Sequence, residues 1–95
     1  MIHHIVLFTL TDPENAPEAI QRLRAMRGQI PALRGLRCGL SSVNQSGASD
    51  IVLITEHDDE AGLREYAGDP VHRELIGWLT PLVASRAVVD TDNLG

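Results

Sequence analysis

Tyr66 and His72 stand six positions apart in EYAGDPVHREL, residues 65–75, with a Gly-Asp-Pro break between them among residues that otherwise read as helix. A near-neutral imidazole in an apolar pocket, set beside a phenolic donor, can move a proton without a metal or cofactor. His4, in the opening stretch IHHIVLFTL, offers a further imidazole. In such a site His72 would be the general base and Tyr66 the donor that stabilises a developing enolate oxygen. The commoner use of the same residues involves no chemistry. A histidine on an apolar helix face usually rests one nitrogen on a backbone carbonyl or a tyrosine hydroxyl and packs as core. Which of the two applies depends on the elements that position the residues.

Pro70 is a favoured first-turn residue, and Asp69 before it suits a cap. On a helix running from there to about Leu79, the residues Val71, Leu75, Ile76, Trp78 and Leu79 span an arc of roughly 160° at 100° per residue. His72 falls inside that arc, between Leu79 and Ile76. A shorter helix is predicted from about Asp59 to Ala67, capped by Asp58 and stopped at Gly68, with Tyr66 on one face beside Leu63 and Ala67. In the first strand His4 alternates with Ile2, Val6 and Phe8, which leaves His3 on the other face with Ile5 and Leu7. With the His4 face turned to the helices, His4, Tyr66 and His72 converge on one space lined by Val6, Phe8, Leu63, Ile76 and Leu79.

The remaining elements follow from period and punctuation. Residues 2–10 have the β-branched and large apolar composition of a strand. TDPENAPEAIQRLRAMRGQIPAL reads as a helix, with Asn15 as N-cap, Glu18 completing a capping box and Pro17 in the first turn. Ile20, Leu23, Met26 and Ile30 fall near one helical face, and Pro31 discourages continuation. LRCGLSSV (residues 36–43) is a weaker strand, NQSGAS a polar loop, DIVLITEH a strong strand and SRAVVDTD a closing strand. The order is β-α-β-β-α-β with the second α split, which is the ferredoxin-like order of an α+β protomer with a four-stranded antiparallel sheet. Right-handed crossovers place both helical layers on one side of that sheet. The first and third strands are nevertheless apolar on both faces, so one apolar face has nothing from this chain to cover it. A face of that kind marks an interface, and a homodimer packed sheet against sheet is expected.

Composition removes several function classes. The 95 residues are expected to form one domain, 1–95. A net charge of −5 argues against a nucleic-acid partner. All eight basic residues are arginine, and without a lysine no Schiff-base mechanism is open. The lone Cys38 forms no internal disulfide and fits a reducing compartment, where it reads as a small hydrophobe. Neither a basic leader nor a long apolar run is present, so no membrane span is expected and the cytoplasm is the default location. EHDDE, residues 56–60, groups carboxylates with His57 as a metal ligand set would. Asp58 and Asp59 are better explained by the preference of a helix N-terminus for negative charge, and no metal or cofactor is expected.

These residues together resemble the Dabb family, the stress-responsive dimeric α/β-barrel domains, over nearly the whole chain. IHHIVLF is similar to that family's first strand, with His4 at its recurrent histidine. IPALRGLRCG resembles its Ile-Pro-x-Leu segment, and DIVLITEHDDEAGLREY its third strand and following helix. DPVH matches the last three positions of its His-Pro-x-His signature, and VVD its final strand. The resemblance implies a homodimeric barrel holding a small apolar or aromatic ligand between sheet and helices. It also implies an alternative, since its olivetolic acid cyclase branch closes a linear polyketide by cofactor-free aldol chemistry. The catalytic histidine, assisting tyrosine and first-strand histidine of that branch correspond to His72, Tyr66 and His4. Ile20 and Leu23 correspond to its pocket lining, which is aromatic there. Asp69 replaces the signature's first histidine, Cys38 a tryptophan, and Thr91 the aromatic residue after the final aspartate. The resemblance thus implies the histidine–tyrosine pair without fixing a substrate.

Overall fold

A computed structural model describes residues 1–95. Strands β1 (Ile2–Leu10), β2 (Gly35–Leu40), β3 (Ile51–His57) and β4 (Val83–Thr91) form one sheet in the order β2-β3-β1-β4, and every neighbouring pair is antiparallel. Helices α1 (Ala16–Arg24), α2 (Glu60–Gly68) and α3 (Pro70–Leu79) complete a ferredoxin-like α+β fold. No helix is long and apolar enough to cross a membrane.

Strict alternation sorts the side chains. In β1, Val6, Phe8 and Leu10 are buried beneath the helices, and in β3 so are Ile51, Leu53, Thr55 and His57. The intervening residues face the side without helices. The register there aligns Ile54, Ile5 and Val89 in one row across β3, β1 and β4, and Val52, Leu7 and Ala87 in the next. Leu7 is 41% exposed and Val89 60%, so this face is an uncovered apolar patch. His3 lies on the same face, its Nδ1 buried without a partner and its Nε2 4.0 Å from Glu56.

The helix boundaries differ from the sequence reading in instructive ways. Asn15 does not cap α1. Asp12 instead receives the Glu14 N–H at 2.9 Å and caps a short 3-10 turn, Pro13–Asn15, that leads into the helix. The helix stops at Arg24, several residues before Pro31, because the chain reverses through turns that include Gly28 at φ 75°. Met26 and Ile30 stay buried without being helical, since the turns return them to the core. Asp59, one residue beyond the expected Asp58, caps α2 by accepting the Gly62 N–H at 2.8 Å. Asp69 caps α3 as expected, accepting the Val71 N–H at 2.8 Å.

The helical layer is unequally filled. α1 packs on β2, and arginines fasten this half of the fold. Arg24 donates to the Cys38 carbonyl at 3.2 Å, and Arg27 in the following turn donates twice to the Leu36 carbonyl at 2.9 and 3.1 Å. Ala19 and Leu23 are fully buried there. α2 and α3 sit over the other half, where β4 has no helix directly above most of its length and its residues 84–90 are exposed.

Candidate functional site

Between the sheet and the α2–α3 pair lies a partly open cavity of ≈ 640 Å³. Its lining is mainly apolar and includes Val6, Phe8, Leu63, Ile76 and Leu79, all five of which the strand and helix faces predicted. Ile20 and Leu23, assigned to the lining through the family resemblance, are not among its walls. Both lie on the buried face of α1, which packs over β2 at the other half of the sheet, and they form core instead.

His4, Tyr66 and His72 do come together. Tyr66 is 1% exposed, and its ring lies 4.4 Å from that of His72 and 6.3 Å from that of His4, centroid to centroid. The α2 stop explains the first pair. The chain leaves α2 at Gly68, turns through extended Asp69 and re-enters a helix at Pro70, which brings His72 back beside Tyr66.

The protonation of each ring follows from its partners. His72 Nδ1 lies 3.0 Å from the Ala67 carbonyl. A carbonyl only accepts, so Nδ1 carries the proton and Nε2 keeps its lone pair. Burial lowers the His72 pKa below its ordinary 6.5 against the raising effect of the Ala67 carbonyl, and the His4 and Arg86 charges act in the same direction as burial. The ring is therefore a neutral base at pH 7 with one nitrogen unused. Burial pushes the Tyr66 phenol above its ordinary 10, so the hydroxyl remains a donor. His4 Nδ1 meets the Asp90 carboxylate at 2.5 Å, which fixes its proton on Nδ1 by the same logic. The pairing arises from register, since His4 lies opposite Asp90 across β1 and β4.

Three contributors were not identified from the sequence. Asp90 orients His4, and the β1–β4 register that pairs them is invisible to local pattern. Arg86 lines the cavity from β4. His57, considered as a metal ligand, instead packs its ring 4.7 Å from Tyr66 and is fully buried. Its Nδ1 donates to the Ala32 carbonyl at 2.8 Å and its Nε2 accepts from the Thr55 hydroxyl at 2.8 Å. The alternation Ile51, Leu53, Thr55, His57 was the available signal for its inward direction. The rest of EHDDE disperses: Glu56 faces the other side of the sheet, Asp58 pairs with Arg34, Asp59 caps α2 and Glu60 pairs with Arg64.

The family model for the stress responsive A/B barrel domain, Dabb, matches residues 2–93. An uncharacterized protein of Streptomyces coelicolor is 32% identical over 91 residues, covering 83% of this chain and 94% of its own. The crystal structure of a dimeric ferredoxin-like protein of unknown function from Thermobifida fusca shares 29% identity at a TM-score of 0.84, covering 95% of this chain and 88% of that one. The hydroxynitrile lyase of Passiflora edulis, at 10% identity and a TM-score of 0.80 over 99% of this chain and 96% of that one, shares the fold.

Proposed function

The chain belongs to the stress-responsive A/B barrel family, and from that premise and the site's geometry we propose that it holds a small apolar or aromatic molecule between its sheet and α2–α3. The observation that carries this reading is the ≈ 640 Å³ cavity itself, within the usual range for ligand pockets and walled mainly by apolar side chains. Apolar walls supply the affinity, while the polar groups at one end fix orientation. The Ile5, Leu7 and Val89 face is proposed to be covered by a second copy of the chain, a reading supported by the dimeric relative from Thermobifida fusca. Sedimentation equilibrium is expected to give twice the 10.4 kDa chain mass, and a monomer at micromolar concentration would end that part of the proposal.

A second reading is favoured by the free Nε2 of His72. A neutral imidazole with its other nitrogen pinned can take a proton from a carbon next to a carbonyl. The C–H pair then moves into an enolate, whose oxygen accepts a hydrogen bond from Tyr66. Carbon–carbon bond formation or cleavage of the aldol type can follow from that enolate without a cofactor. The hydroxynitrile lyase of Passiflora edulis shares the fold, and that likeness assigns no reaction to this chain.

Acetophenone tests both readings at once. Binding followed by ligand-observed NMR is expected in the wild type and in His72→Ala. Exchange of its methyl protons with D₂O above the buffer rate is expected in the wild type alone. Binding without exchange would leave a ligand carrier, exchange surviving in a folded His72→Ala would remove the base, and absence of binding would remove both.

A further inference from the structure

Arg86 is the one permanent cation on the cavity wall, and no carboxylate lines that wall beside it. It forms no ion pair and no side-chain hydrogen bond within the chain. Exposed arginines without partners are ordinary at a protein surface. This one differs in its position, at the rim of a mainly apolar cavity and close enough for its charge to act on the His72 ring.

Register sets the geometry. Arg86 lies opposite Phe8, and Asp90 opposite His4, so the two rows are four residues apart. Four residues of strand cover roughly 13 Å of backbone, and the long Arg86 side chain reaches back along part of it towards His72. The helical side keeps the same order: His72 is near the start of α3, while Thr80 follows its end, eight residues or about 12 Å further on. The cavity therefore has two polar ends. One holds His4, Tyr66 and His72, and the other holds Arg86 with Thr80 and Ser85, with Val6, Phe8, Ile76 and Leu79 among the residues between.

We propose that the cavity selects an amphipathic carboxylic acid, its apolar body lying along Val6 and Phe8 and its carboxylate received by the Arg86 guanidinium. The proposal rests on the ligand-holding reading above and names the class of ligand. A planar guanidinium matches a carboxylate with two parallel N–H···O bonds, and it cannot lose its charge at any pH the fold survives. The apolar wall between the two ends suits an acid with an aromatic or alkyl body, which would point from Arg86 towards Tyr66 and His72.

The test uses 2-naphthoate and its neutral isostere 2-naphthamide, titrated calorimetrically into wild type, Arg86→Met and Arg86→Gln at low salt. Wild type is expected to prefer the acid by about ten-fold, the scale of a charge-assisted hydrogen bond. Both variants should bind the two probes within about two- to three-fold of each other, with the amide affinity unchanged, because only the charged contact has been removed. Circular dichroism checks the fold of each variant, and a preference that shrinks with added salt marks the contact as ionic. Equal affinity of the two probes in the wild type overturns the proposal and leaves the ligand-holding reading standing. So does a preference for the acid that survives both substitutions. If neither probe binds the wild type, the cavity is not a site for such ligands, and the two readings fall together.

Discussion

Two histidines pack their rings against Tyr66, and they are held in opposite ways. His57 has both nitrogens bonded, one to the Ala32 carbonyl and one to the Thr55 hydroxyl, and no exposed surface. His72 has one nitrogen bonded, to the Ala67 carbonyl, and borders the cavity. The difference comes from what covers each end of the helical layer. Around His57, the long connection after α1 folds back over β3, delivering the Ala32 carbonyl and tying Arg34 N–H to the Glu56 carbonyl at 2.8 Å. Around His72, α3 runs on through a short 3-10 turn into β4, and a partly open cavity is left between these elements and the sheet. One imidazole is spent on the fold. The other keeps an unbonded nitrogen at the cavity wall.

The largest expected effect breaks that comparison if it fails. His57→Ala leaves a void and strands two buried polar groups, the Thr55 hydroxyl and the Ala32 carbonyl, for a loss of about 3 kcal/mol. His72→Ala opens a wall that already faces a cavity and frees a carbonyl that water can reach, for about 1 kcal/mol or less. Urea unfolding at one fixed protein concentration measures both. Equal losses would mean that His72 is as much a part of the packed core as His57, and the functional distinction drawn between them would collapse.

How much of this could be read from the sequence depended on the distance over which each feature is encoded. The alternation in β1 put His4 on the helix face, and the helical arc put His72 and Leu79 together, because period 2 and period 3.6 are local properties. The Asp69–Pro70 restart was legible for the same reason. The first helix was drawn too long because Met26 and Ile30 kept a helical spacing that turns, not helix, carry into the core. Assigning Ile20 and Leu23 to the pocket failed because a ferredoxin-like order places two helical layers on one sheet face without saying which strands each one covers. Asp90 and Arg86 act through cross-strand pairing over more than 75 residues, and no local pattern fixes that register.

A smaller effect sharpens the comparison through pH. Burial lowers the pKa of both His57 and His72 below the ordinary 6.5, so between the lowered values and 6.5 the unfolded chain binds protons that the folded chain refuses. Stability therefore rises with pH across that window, is fully present above 6.5 and is lost as the pH falls through the lowered values. Removing either ring should flatten the acid side of the stability profile: both His57→Gln and His72→Gln are expected to lose less stability between pH 7 and pH 5 than the wild type. Their consequences at the cavity should differ. The acetophenone exchange rate should decline on the acid side through protonation of His72 alone, so His57→Gln should keep the wild-type pH profile for exchange while its stability profile changes. A shifted exchange profile in His57→Gln would show that the closed end helps to set the basicity of the open one, with Tyr66 between them as the connecting contact.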